Sequence, residues 1–244
     1  MRNNSAPDRK TRVPRRLSAV IHLTAFIGSL LLACASTSLA DASAAAEKLD
    51  GTFDATTGSI EVKKTKALDV AALAEIAADP AVKSVNLDGC ALKSDGVAAL
   101  AASKSITVLK LEHTMVSQTK DLEQLAKLTT LEELSFGGSN FGDEGLAALC
   151  ALKNLKALKL GHVGRDEKHF FTATGVKALR GLPKLETLSL HFHKPTPEMI
   201  PVLAELKTVR YLQVRGTGED FLAALQKAMP QATVGISVRS KPAK

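Results

Sequence analysis

The chain has 244 residues, enough for one sizeable core or two small ones. It carries 32 basic and 25 acidic residues, but six of the former and one of the latter lie in the first forty, leaving 26 against 24 in the remainder. A charge so nearly balanced excludes a dedicated phosphate-backbone binder, which needs a concentrated basic face, so no nucleic-acid partner is expected.

The first forty residues differ from everything after them. Five basic residues crowd "RKTRVPRR" (Arg9–Arg16), the apolar run "LSAVIHLTAFIGSLLLACA" follows, and small residues lead out through "STSLA". That order is the anatomy of a secretory signal peptide and predicts cleavage after Ala40. An uncleaved anchor fits less well, because the run is short and broken by His22 and Thr24. Lipidation of Cys34 within "LLAC", or folded export through Arg15 and Arg16, would lead out of the cytosol as well. The predicted location is the periplasm or the exterior, with no membrane association beyond a lipid anchor at Cys34.

Residues 41–81 read as an N-terminal cap and a degenerate first unit. "GTFDA" and "SIEVK" form a hairpin across "TTGS", protecting a sheet edge, and "SIEVKKTKALDVAALAEIAADP" (59–80) already holds a strand followed by a helix. From Val82 the pattern becomes regular. "VKSVNLDGCAL", "ITVLKLEHTMV", "LEELSFGGSNF", "LKALKLGHVGR", "LETLSLHFHKP" and "VRYLQVRGTGE" share apolar-x-x-apolar-x-apolar spacing and begin at Val82, Ile106, Leu131, Leu155, Leu185 and Val209. The starts are 24, 25, 24, 30 and 24 residues apart, and each segment leads into an amphipathic helical stretch. Asp95, Asp143 and Thr196 are placed to cap three of those helices, with Pro197 in a first turn.

A single unit of this kind cannot bury its own apolar face; stacked units can, through residues such as Leu134, Phe136, Phe141, Leu146 and Leu149. Cys90 and Cys150 sit two repeats apart and are expected to be small buried apolar residues rather than a disulfide. "ATVGISV" (232–238) reads as a last strand, and the segment 232–244 ends in a tail without packing signals.

In residues 82–231 the sequence resembles the leucine-rich repeat family, in its bacterial form with units of about 24 residues. The resemblance implies an α/β solenoid with a curved parallel sheet on the concave side and helices on the convex side. It departs from the family at the turn position usually held by Asn or Cys, which here holds Cys90, Thr114, Ser139, Val163, His193 and Thr217, so no uniform side-chain ladder is expected there.

Three histidines suggest chemistry. In "LSLHFHK" the register points His191 to the solvent side and turns His193 inward, so the two cannot pincer a metal. His162, His169 and His191 could converge on Zn or Cu, as the alternative to a binding scaffold, but no Cys or carboxylate accompanies them at ligand spacing. "GGSNFGDEG" (137–145) reads as turn chemistry, and no nucleophile elbow or phosphate loop is present, so neither enzyme activity nor a cofactor is expected.

Two concave rows follow from the register: Asp88, Glu112, Gly137, Gly161, His191, Arg215 and Ser84, Val108, Glu133, Ala157, Thr187, Tyr211. They run from acidic to basic and aromatic. The one tyrosine of the chain lies at the C-terminal end, beside the six extra residues within "GRDEKHFF" (164–171). The predicted function is therefore that of an exported, non-enzymatic scaffold, a monomer that grips a protein partner through Phe170, His191, Phe192, Tyr211 and Arg215.

Overall fold

The computed structural model describes residues 41–236 except Lys66, Met115, Ser117, 138–141, 162–170 and 192–194, and these residues fall within one unit spanning 38–244. A helix α1 (41–48) buries Ala42, Ala45 and Ala46 against the first turn of the core. The hairpin follows: β1 (Gly51–Asp54) runs antiparallel to β2 (Ser59–Val62). Strand and helix then alternate through α2 (Val70–Ala78), β3 (Ser84–Asn86), α3 (Ser94–Leu100), β4 (Val108–Glu112), α4 (Thr119–Leu125) and β5 (Glu133–Gly137). The second half continues through α5 (Asp143–Leu149), β6 (Ala157–Gly161), α6 (Ala173–Ala178), β7 (Thr187–His191), α7 (Met199–Ala204), β8 (Tyr211–Arg215), α8 (Glu219–Ala228) and β9 (Thr233–Ile236).

The nine described strands form one sheet in chain order, parallel from β2 onward. Parallel order without crossovers is what a stack of identical strand–helix units produces. The register is uniform. Leu109, Leu134, Leu158, Leu188 and Leu212 stand in one inward row, and Leu111, Phe136, Leu160, Leu190 and Val214 form the next, all essentially buried. Each strand is keyed to its predecessor at its entry. The carbonyls of Lys83, Thr107, Glu132, Lys156 and Glu186 each accept two successive N–H groups from the following unit, as Thr107 takes those of Glu132 and Glu133 at 2.8 and 3.0 Å.

Helix termini correct the capping expectation. The N-cap positions of α3 and α5 are Lys93 and Gly142, and neither helix receives a side-chain cap. Asp95 lies one residue inside its helix. Asp143 reaches across to the next unit, where its carboxylate accepts from the backbone N–H and the hydroxyl of Thr172. A Cβ on Gly175 would collide with that carboxylate, so the close α5–α6 approach needs glycine there. Thr196 and Pro197 precede α7, whose N-cap is Glu198. Side-chain caps occur at Asp69, which accepts from Ala71 and Ala72 N–H groups, and at Thr172.

At the strand-to-helix turn, Cys90 Sγ donates to Lys63 O at 3.5 Å and Thr114 Oγ1 to Leu111 O at 3.0 Å, two different bonds at equivalent places. Ser139, Val163 and His193 lie outside the described residues. A more regular tie runs along the opposite turn, where Ser105 Oγ, Thr130 Oγ1 and Asn154 Nδ2 donate to the carbonyls of Asp79, Ile106 and Thr129 one unit earlier, at 2.7–2.9 Å. Both cysteines are free. Cys90 is buried as expected, but Cys150 is only partly so: it ends α5, donates to Ala178 O at 2.9 Å, and burial pushes its thiol up to about 11.

Candidate functional site: the solvent face of the sheet

Strand alternation puts every second residue on the face opposite the core. The register lines them up in three rows, not two. Ser84, Val108, Glu133, Ala157, Thr187 and Tyr211 form the first row. The third includes Glu112, Gly137 and Gly161, with His191 paired to Arg215 further along. Between them runs Asn86, Lys110, Ser135, Lys159, Ser189 and Gln213. Side chains of the first and middle rows line much of a depression of ≈ 370 Å³ extending from Asp88 to Gln213, with the small residues Ser135, Ala157 and Ser189 on its floor.

The middle row organises the charge. Lys159 Nζ on β6 meets Glu112 Oε1 on β4 at 2.6 Å, and Ser135 Oγ on the intervening strand donates to the same oxygen at 2.6 Å. Burial acts most strongly on Glu112 and would raise its pKa, but the bonds from Lys159 and Ser135 together outweigh it and hold the carboxyl below its usual range. Asp88 moves the opposite way: burial raises it, even though its Oδ1 accepts the backbone N–H of Glu112 at 2.7 Å. The third row has almost no relief at its centre. A Cβ on Gly137 would sit 2.7 Å from Gly161 O, so these two strands present bare backbone between Glu112 and His191.

A family model described as "Leucine Rich repeat" matches residues 127–150, the stretch that follows α4 and runs through β5 and α5. The fold, strand and helix alternating along one sheet in chain order, is that of a leucine-rich repeat solenoid. No curated protein matches it at a significant level. Among solved structures it is similar to TLR13 in complex with ssRNA13, at 13% identity over 70% of this chain and 31% of that one, with a TM-score of 0.41. It is also similar to an internalin (inlF) from Listeria monocytogenes, at 16% identity, 80% and 64% coverage and a TM-score of 0.40. For the plant peptide hormone receptor RGFR1 in complex with RGF2 the values are 13%, 67% and 29%, and 0.33. The chain spans less than two thirds of each of these proteins.

On this leucine-rich repeat sheet three of the five predicted partner-binding residues are placed. Tyr211 stands at the start of β8 and is 59% exposed, while His191 and Arg215 are half-buried neighbours at the ends of β7 and β8. Phe170 and Phe192 lie outside the described residues, as do His162 and His169 of the metal alternative. Among the described residues no group of three or more His, Cys, Asp or Glu side chains is arranged to hold a metal ion. Among them, too, no helix is long and apolar enough to cross a membrane. The expected acidic-to-basic gradient holds for carboxylates, which end at Glu133 on β5, but Lys110 and Lys159 interrupt it. Sequence reasoning took the residues flanking the two strand leucines and passed over the one between them. The same period-2 rule would have found it.

Proposed function

We propose that this chain is an exported, non-enzymatic protein-binding scaffold that works through the solvent face of its sheet and the C-terminal rim of that face. The observation that carries the reading is Tyr211, a large aromatic ring 59% exposed on a strand whose neighbouring inward residues, Leu212 and Val214, are fully buried. An aromatic side chain held out from a rigid sheet loses little entropy on contact and offers both apolar area and a hydroxyl. His191 and Arg215 extend that surface with donors suited to a carboxylate or carbonyl. Leucine-rich repeats serve in general as interaction scaffolds, and the described face carries no arrangement that would activate a nucleophile.

Export is supported by the order of basic, apolar and small residues in 1–40. Intact mass of the purified protein distinguishes cleavage after Ala40 from acylation at Cys34. The binding reading is tested by capture from the exported fraction with the wild type, Tyr211→Ala and Arg215→Ala. Loss of a specific partner with either variant supports it; identical capture by all three removes the C-terminal rim from consideration.

A further inference from the structure

The surface just described has one feature that specifies what it takes. Among the described residues five carboxylates lie on the sheet face, and four are engaged from within. Asp54 accepts from Thr57 Oγ1 at 2.8 Å and Thr56 N–H at 2.9 Å, and Glu61 from Asn86 Nδ2 at 3.3 Å. Asp88 accepts from Glu112 N–H, and Glu112 from Lys159 and Ser135. Glu133 is different. It is exposed, and among the described residues no hydrogen bond or ion pair closes on its carboxylate. Lys156 bonds Glu132 at 2.8 Å and acts on Glu133 only through its charge, Lys159 bonds Glu112, and Lys110 acts on Asp88.

The row containing Glu133 leads straight to Tyr211. Glu133 pairs with Ala157, Ala157 with Thr187, and Thr187 with Tyr211. Three strand spacings put the two backbones about 14 Å apart. The intervening side chains are small, and Glu133, Ala157 and Thr187 all line the depression. The result is a seat with a carboxylate at one end, the methyl groups of Ala157 and Thr187 along it, and the exposed ring of Tyr211 at the other end, just outside the lining of the depression.

A long cationic side chain matches each part of that seat. Its methylene stem covers Ala157 and Thr187, and its charged head lies between an anion and the electron-rich face of a phenol ring. An acidic side chain would be repelled by Glu133, and an apolar one would cover its charge without replacing the lost water. We propose that the partner protein inserts a lysine or arginine side chain between Glu133 and Tyr211. This inference rests on the sheet face being a protein-binding surface.

The test is selection of a phage-displayed random dodecapeptide library on the immobilised full-length chain, followed by anisotropy titration of the best peptide. The selected peptides should share a lysine or arginine whose replacement by glutamine weakens binding. Glu133→Gln should weaken the same peptide about threefold to tenfold, as expected for an exposed ion pair with a cation–π contribution. Glu133→Lys should redirect selection toward acidic residues. Position 133 is exposed, so circular dichroism melts of both variants should match the wild type. Peptides that depend on Tyr211 but share no basic residue and ignore Glu133 would overturn the cation seat while leaving the binding face standing. Failure of any peptide to depend on either residue would overturn both.

Discussion

Glu112 shows how one side chain on an open sheet acquires a depressed pKa without being deeply buried. Its strand lies two away from that of Lys159, and the small Ser135 between them lets the lysine cross over while adding a second donor to the same oxygen. A carboxylate held below its ordinary 4.5 in the folded chain adds stability above that value, and the gain is lost as pH falls through the depressed pKa. Glu112→Gln is therefore expected to cost roughly 0.5–1 kcal/mol near neutral pH, a figure kept small because the lysine side chain is 56% exposed. Urea melts from about pH 7 down to about pH 2 should show the two proteins converging once the wild-type carboxyl is protonated. A difference that persists unchanged into acid would mean that Glu112 stabilises by packing alone.

At the scale of elements, strands were legible in the sequence and helix starts were not. The strand residues are fixed by two leucine-class positions two apart with a polar residue between, a pattern in which a slip by one would expose every leucine. Helix starts depend on where the chain turns after leaving the strand, which varies among units. Asp143 looks like a cap by type and position, yet Thr172 in the next unit offers its carboxylate two donors. Only the stacking reveals that competition. The site divides similarly: the first and third rows follow from alternation, whereas the Glu112–Ser135–Lys159 network depends on three different repeats being in register. Absent caps also predict where stability can be added. Lys93 occupies the N-cap of α3 with extended geometry (φ −97, ψ 169) but no capping bond. Asp95 Oδ1 already accepts the Gly96 N–H at 2.9 Å, so Lys93→Ser should supply an acceptor for the remaining first-turn amides and stabilise by about 0.5–1 kcal/mol, measured as a higher urea midpoint at constant slope. An unchanged midpoint would show that water already satisfies those amides equally well.

Across the whole unit, stability is built from neighbour-to-neighbour contacts, so no distant pairing staples the ends together. Each internal strand is bonded on both sides and roofed by its own helix; the ends are closed by other means. At the N-terminal end the apolar face is covered by α1 and the β1–β2 hairpin, with Leu49, Ile60 and Leu73 fully or nearly buried. At the other end α8 leans on β9, where Gln226 Nε2 donates to Val234 O at 3.1 Å, and β9 pairs with β8 alone among the described strands. β1 likewise has one partner, and both end strands are four residues long, a length that limits unwanted pairing at a sheet edge. In a stack of this kind opening at an end breaks one interface, whereas opening in the middle breaks two. Native-state hydrogen exchange should therefore be slowest in β4 to β7 and faster in β1 and β9, with protection falling toward the ends in steps about one unit wide. If every strand exchanged at a single common rate, the chain would be opening all at once, and the nearest-neighbour account of its stability would have to be replaced by a globally cooperative one.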